Sequence, residues 1–353
     1  MPPNTPCWCG SGLKWKKCHR DRADQAAVGK YAWLTAFNQA QRAGTCQHPD
    51  APTGCSGPAI GSHTIQRAGS LASIAEKGHV YSRRNYAGMK GKHGHPDLVG
   101  LKKASTFPGF CARHDGDIFR PIDHLGKVDS RAAFLLSYRS LCFEVHMKQV
   151  AVETLRFSRT YVDRGRSFSW QSSAQTALAE QIYLMEIGRR EHLRRRQQWD
   201  LLLREGDYRT FQFAAFELPV SFPMLASGTF FHEYDFWGRY LQPPGRFLHM
   251  YDMLAFNMAR STDALWLVFG WMHDDPSGAA FVESLASLPA DLFHEAVVRF
   301  CWDITDNLFI RPSWWDGKKE ADKELLAQFG LTSLPGGRTP KALVPDGTKA
   351  FRA

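Results

Sequence analysis

Several features common in other protein classes are missing from this sequence. It has no apolar run approaching the roughly 18 residues that a membrane-spanning helix needs, and its first residues, MPPNTPCWCGSG, lack the apolar stretch of a signal peptide. It has no P-loop, no dinucleotide-binding fingerprint and no G-x-S-x-G elbow. Eight cysteines in 353 residues are too few for a disulfide scaffold. These absences predict a cytoplasmic protein, without a membrane partner, whose cysteines are metal ligands.

The chemically distinctive residues are concentrated in the first third of the chain. The net charge is +9: residues 1–130 hold 18 Lys and Arg against 9 Asp and Glu, whereas the remainder holds 26 of each. Eight of the 14 histidines and six of the eight cysteines also lie in residues 1–130. We therefore expect a basic, metal-binding amino-terminal part, with a polyanion such as nucleic acid as its partner.

The composition predicts an α+β fold built from five segments. Asp129 and Ser130 can cap a helix, and a break at Gly165 predicts that two helices form an antiparallel hairpin. Short aromatic and branched runs bounded by Pro and Gly then predict strands, and 24 Phe with 11 Trp supply a core. The predicted segments are a zinc element at 1–22, a second small zinc-stapled module at 23–128, the hairpin at 129–205, an aromatic-rich β-containing domain at 206–334, and a disordered tail at 335–353.

The first candidate metal site lies within PCWCGSGLKWKKCH, residues 6–19. Zinc prefers four soft or borderline ligands in a tetrahedron, and Cys7, Cys9, Cys18 and His19 supply them. The Gly-Ser-Gly turn lets the backbone reverse, because glycine reaches positive φ at no steric cost. The lysines that follow offset the negative charge of three thiolates.

This segment resembles the SEC-C motif, a zinc-binding element that has CxC, eight residues, and then CC or CH. The resemblance covers about 14 of the 353 residues, and every motif position is matched. It implies zinc bound by Cys7, Cys9, Cys18 and His19. It also implies a docking role, with a protein partner, because SEC-C elements occur on many unrelated proteins and are not themselves catalytic.

A second cluster offers five candidate ligands for four positions: Cys46, Cys55, His63, Cys111 and His114. The two-residue gap of Cys111-Ala-Arg-His114 lets a knuckle or the first turn of a helix present both side chains to one ion. His63 lies in AIGSHTI, which is predicted to be a short strand. In a four-coordinate zinc site one of the five residues is left over.

The order of these residues resembles the treble-clef zinc module of HNH-type (ββα-metal) nucleases. The resemblance implies that Cys46, Cys55, Cys111 and His114 hold structural zinc. It also implies that His63 is the general base that activates water, beside a second divalent ion such as Mg²⁺. Ser62 stands where that family has an acidic residue. A structural zinc module without catalysis and a working nuclease both remain open.

The stretch between the two halves of this module is rich in Lys and Arg, which suits phosphate contacts. Its candidate nucleic-acid-binding residues are Arg83, Arg84, Lys90, Lys92, Lys102 and Lys103. The sequence thus predicts a protein with two zinc ions that is associated with nucleic acid or acts as a docking adaptor. The alternative is an HNH-type metal-dependent nuclease, for example a prokaryotic defence effector, with His63 as its general base.

Overall fold

The computed structural model describes residues 1–29, 31–84, 94–123, 125–242, 251–331 and 339–353. Its α-helices are α1 (Tyr31–Arg42), α2 (Ala72–Ile74), α3 (Ala112–Asp123), α4 (Ser130–Arg159), α5 (Phe168–Glu205), α6 (Pro276–Ala286), α7 (Ala290–Ile304), α8 (Pro312–Asp316) and α9 (Glu320–Leu331). Its strands are β1 (Ala59–His63), β2 (His79–Ser82), β3 (Asp97–Gly100), β4 (Thr106–Cys111), β5 (Phe211–Leu218), β6 (Met224–Phe230), β7 (Leu254–Arg260), β8 (Leu265–Met272) and β9 (Leu308–Ile310). The predicted mixture of helix and sheet is confirmed.

The chain divides into two compact units, which differ from the five predicted segments. The first unit comprises Met1–Gly44 and Val145–Arg194, and the second comprises Thr45–Glu144 and Arg195–Ala353. The predicted hairpin is therefore shared, with parts of α4 and α5 in each unit. None of the described helices combines the length and apolar composition that a membrane-spanning helix requires.

The first unit contains the amino-terminal element, α1, the last part of α4 and the first part of α5, while the beginning of α4 belongs to the second unit. The Asp129 carboxylate accepts a hydrogen bond from the Ala132 N–H and caps α4, as the sequence predicts. Arg156 pairs with Glu186 at 2.8 Å. Arg159, three residues further along α4, donates a hydrogen bond to Gln175, which comes before Glu186 on α5. Because the partners on α5 run backwards as α4 advances, the predicted hairpin is confirmed.

The second unit is built on a seven-stranded sheet with the order β3-β2-β9-β6-β7-β8-β5. Strands β6 and β7 are buried almost throughout, because helices and further strands cover the sheet. Its core contains a cluster of aromatic rings. The Phe300 ring meets Phe256 and Phe269 edge-on, with 4.8 and 5.3 Å between ring centres, and the latter two are tilted to each other at 6.3 Å. Within the described residues, the runs predicted to be strands contain β5, β7 and β8. Helices α6 and α7 follow β8, and β9 begins four residues after α7 ends.

A smaller two-stranded sheet joins β1 to β4, and α3 follows β4 directly. Ala59 faces Cys111 and His63 faces Thr106 in this antiparallel pair. Of the second predicted ligand set, Cys111 thus ends β4 and His114 lies in α3, whereas Cys46 and Cys55 lie in the loop before β1.

The carboxyl-terminal residues differ from the prediction of a disordered tail. In the described part, 339–353, Leu343, Ala350 and Phe351 are buried and pack into the core of the second unit. The Phe351 ring meets Phe329 edge-on at 4.8 Å, and the Arg299 guanidinium lies over it at 4.2 Å. Composition alone misses this contact, because three apolar residues in a polar stretch are enough to anchor it.

Candidate metal centres

Cys7, Cys9, Cys18 and His19 converge at the first site. The Nδ1 atom of His19 lies 3.2 Å from the sulfur of Cys7 and 3.1 Å from that of Cys18, and the sulfurs of Cys9 and Cys18 are 3.6 Å apart. All four ligand atoms lie within 4.8 Å of one another. Zinc bonds of about 2.0–2.3 Å place tetrahedral ligands about 3.4–3.8 Å apart. The cluster therefore has the ligand set and the size for one zinc ion.

The other ring nitrogen of His19 is held by a buried carboxylate. Nε2 of His19 donates to Oδ2 of Asp163 at 2.8 Å, and the remaining oxygen of Asp163 pairs with Arg22 at 2.9 Å. Gln175 donates a further hydrogen bond to Oδ2, also at 2.8 Å. A carboxylate at Nε2 fixes the tautomer in which Nδ1 is free to bind a metal.

The same element is tied to the turn between α4 and α5 by its backbone. Arg22 donates to the carbonyls of Thr160 and Arg159 at 2.8 and 3.2 Å, and Arg159 donates to the carbonyl of Cys9. Burial lowers the pKa of His19, against the raising effect of Asp163. The imidazole is therefore neutral near pH 7, which metal ligation requires.

Cys46, Cys55, Cys111 and His114 converge at the second site. Nδ1 of His114 lies 3.3 Å from the sulfur of Cys46 and 3.7 Å from that of Cys55. Cys111 ends β4 and His114 lies in the first turn of α3, and all four ligand atoms lie within 4.8 Å of one another. The sequence thus predicted the same four residues that the fold brings together.

The surroundings of the second site act on the Cys111 thiol and hold the loop beside Cys46. Burial opposes ionisation of Cys111, but hydrogen bonds from the backbone of His114 and Ser56 outweigh it and lower the pKa of the thiol to about 6. The His48 ring stacks on His114 at 3.9 Å. The Gln47 amide donates to the carbonyl of Cys142 at 3.0 Å, which holds the segment beside Cys46 against α4.

His63, the fifth candidate, lies outside the second cluster. Its Nδ1 is 3.1 Å from the carbonyl of Ala104 and 3.1 Å from the hydroxyl of Ser105. Because a carbonyl can only accept, Nδ1 carries the proton and Nε2 keeps its lone pair. Burial lowers the pKa of His63 to about 4, and the charges of Arg67 and Arg139 act in the same direction.

A buried polar network fixes the backbone next to His63. Thr64 follows His63, and its carbonyl accepts a hydrogen bond from Asn257 at 3.0 Å. The Thr64 hydroxyl accepts another from Asn307 at 2.9 Å. Thr64 is itself fully buried. The position of His63 is therefore set by the large sheet as well as by its own strand.

Comparison with known proteins identifies the first site. Residues 4–21 match the SEC-C motif. No curated protein and no solved structure matches the chain. The zinc ligands that the SEC-C resemblance implies are the residues that converge in the first cluster. The HNH-type resemblance of the second module stays a prediction.

The structure changes the predicted set of nucleic-acid-binding residues. Arg83 pairs with Asp306 at 3.3 Å, donates to the carbonyl of Trp302 and has a 6% exposed side chain. Arg84 is buried with its guanidinium over the Phe143 ring at 4.7 Å. These two arginines are structural, because β2, which precedes them, is an inner strand of the large sheet. Lys102 and Lys103 are exposed, and Lys90 and Lys92 lie outside the described residues.

Sequence reasoning missed Asp163, Gln175 and His48, which surround the two clusters. Asp163 is 144 residues from His19, and nothing in its local sequence marks it as a partner of a zinc ligand. Its one local signal is the short break between two long helices, where a buried acid is unusual. His48 lies two residues after Cys46, and this closeness to a ligand is a local signal of its position.

Proposed function

We propose that this zinc-binding protein associates with nucleic acid through its first unit. The supporting observation is the distribution of charge between the two units. The first unit carries 15 Lys and Arg against 7 Asp and Glu, a net charge of +8, and the second carries 29 against 28, a net charge of +1. One Zn²⁺ ion bound by three thiolates has a net charge of −1, so zinc lowers the net charge of the first unit by only one. A compact basic unit is the electrostatic footprint of a phosphate-binding surface.

Three lysines of the SEC-C element, Lys14, Lys16 and Lys17, are exposed. Within the described residues they form no ion pair, in contrast to Arg20, which pairs with Asp21, and Arg22, which pairs with Asp163. Their charge is therefore available to a ligand. The short helical turn Trp15–Lys17 keeps two of them on a fixed backbone.

Substituting one of two lysine pairs at a time distinguishes binding through the SEC-C element from binding through the stretch around Lys102. The full-length, zinc-loaded protein is titrated against a labelled 20-nucleotide single strand and a 20-base-pair duplex over a range of salt. Lys16→Gln/Lys17→Gln is compared with Lys102→Gln/Lys103→Gln, since both changes remove two exposed charges.

Each lost phosphate contact lowers the salt slope by about 0.7–0.9. We expect the first pair to lower it by about 1.5 and the second pair to leave it unchanged. Equal effects of the two pairs, or binding that does not depend on salt, would contradict the proposal.

A second candidate function rests on His63, which the second cluster leaves free of metal. We propose phosphodiester hydrolysis, in which Nε2 takes a proton from a water molecule as the water oxygen bonds to phosphorus. The ester P–O bond breaks, and the leaving oxygen takes up a proton from solvent, to which the imidazolium returns its own. A neutral imidazole with Nδ1 bound to a carbonyl has the protonation state that this step needs. A pKa of about 4 makes the base weak and the reaction slow.

Nicking of supercoiled plasmid with Mg²⁺ or Mn²⁺ tests this candidate. His63→Ala is expected to lower the rate roughly 10²- to 10⁴-fold while both zinc ions stay bound. His79→Ala is the matched control, because His79 is exposed in the same unit. Loss of zinc in His63→Ala would instead make His63 a metal ligand, and equal nicking by both variants would refute the catalytic role.

A further inference from the structure

An exposed aromatic surface adjoins the SEC-C element. Residues 165–170, GRSFSW, are all exposed, and they include Phe168 at 66% and Trp170 at 42%. Leaving large aromatic rings in water forgoes the free energy of burying them. Both rings lie in the first turn of α5 and point to different faces of it, so each offers its own flat apolar face to a partner.

The structure holds these rings in place. Trp8 lies between two ligand cysteines, and its ring meets Phe168 edge-on at 5.4 Å and His19 at 4.6 Å. The guanidinium of Arg166 lies over the Trp170 ring at 5.3 Å. Because His19 is a zinc ligand, the metal site and the aromatic surface share one framework.

The surface is aromatic and basic together. Arg166 is exposed and, within the described residues, forms no ion pair, as is true of Lys14, Lys16 and Lys17 of the SEC-C element. The nearby acid Asp163 is fully buried and already paired with His19 and Arg22. No exposed carboxylate of this turn therefore offsets the cations.

We infer that this surface is a stacking platform for single-stranded nucleic acid, with bases on Phe168 and Trp170 and phosphates on Arg166 and the SEC-C lysines. The inference rests on the proposed nucleic-acid binding and names its substrate class. Unpaired bases offer flat faces to aromatic side chains, and the phosphates between them need cations. In a duplex the base faces are stacked on one another, so only the cations would contribute.

The test compares three probes on the full-length, zinc-loaded protein: a labelled 20-nucleotide oligo(dT), a 20-base-pair duplex, and heparin, which is a polyanion without bases. Phe168→Ala and Trp170→Ala are each expected to lower oligo(dT) affinity about tenfold. Their salt slope and their affinity for heparin should not change. Trp170→Phe should retain binding, and zinc content verifies that each variant is folded.

Tyr183→Ala is the matched control, because Tyr183 is 54% exposed on the same helix but about four turns further along. It should bind oligo(dT) as the unmodified protein does. Unchanged oligo(dT) affinity in Phe168→Ala and Trp170→Ala would overturn the stacking platform. The proposed function would then still stand if Lys16→Gln/Lys17→Gln lowered the salt slope. Absence of binding to every probe at low salt would overturn both.

Discussion

The two Cys/His clusters use the same ligands, three cysteines and one histidine, but gather them over different lengths of chain. The first set spans 13 residues, from Cys7 to His19, and the second spans 69, from Cys46 to His114. Near the first, Cys7, His19 and Arg22 are buried but no large aliphatic side chain of residues 1–22 is. Near the second, Phe107, Phe110 and Phe119 are fully buried.

This difference shows how one metal chemistry serves two structural roles. In the first cluster a tight turn supplies every ligand, so zinc organises a local element, and the rest of the support is polar and comes from Asp163. In the second cluster a bound metal ion would close a long loop onto a strand and a helix that have their own core. Closing a longer loop removes more freedom from the unfolded chain.

The largest expected effect comes from removing one cysteine at each site. Cys111→Ser should lose one zinc ion and destabilise the second unit. Binding at a free zinc concentration 1,000-fold above Kd contributes about 4 kcal/mol to the folded state. Cys9→Ser should also lose one zinc ion, but the main thermal transition should move little, because residues 1–22 add few buried apolar groups. Elemental analysis and thermal unfolding measure both, and equal shifts in Tm would contradict the distinction.

A smaller effect is expected from the buried carboxylate that supports only the first cluster. Asp163→Asn keeps the size of the side chain but removes the charge that orients His19. Zinc affinity at the first site should fall about 10- to 100-fold, while the second site provides an internal reference. Competition with a chromophoric chelator measures both affinities. Asp24→Asn, at an exposed acid of the same unit, is the control, and an equal effect there would show that Asp163 has no special role.

The ligands of both clusters could be predicted from the sequence, for different reasons. The first set is a local motif, so spacing alone identifies it. For the second set the residues alone left five candidates for four positions, and the HNH-type resemblance implied which one was left over. That left His63 outside the cluster, as the structure shows.

What the sequence could not supply were contacts made across the fold. Asp163 meets His19 only because the amino-terminal element packs on the turn between α4 and α5. Arg83 looked like a phosphate ligand in a basic stretch, but it is buried because β2 pairs with β9, which is more than 220 residues away. The local sequence of a strand does not indicate which distant strand it pairs with, so the burial of Arg83 could not be predicted.

The smallest expected effect comes from replacing one glycine in each of the two ligand loops. Gly12 and Gly54 each adopt a positive φ, of +76° and +72°, between ligands of the first and second sites. An added Cβ at Gly12 meets nothing within 4 Å, whereas at Gly54 it lies 3.3 Å from Arg113 and 3.6 Å from Nε2 of His114. Backbone strain alone costs roughly 1–2 kcal/mol. Gly12→Ala should therefore lower zinc affinity of the first site about fivefold or somewhat more, and Gly54→Ala should lower that of the second site further. Gly12→Asn should recover part of the loss, because asparagine tolerates this conformation. If Gly12→Ala proved the more damaging of the two alanine changes in chelator competition, the crowding assigned to the second loop would be refuted.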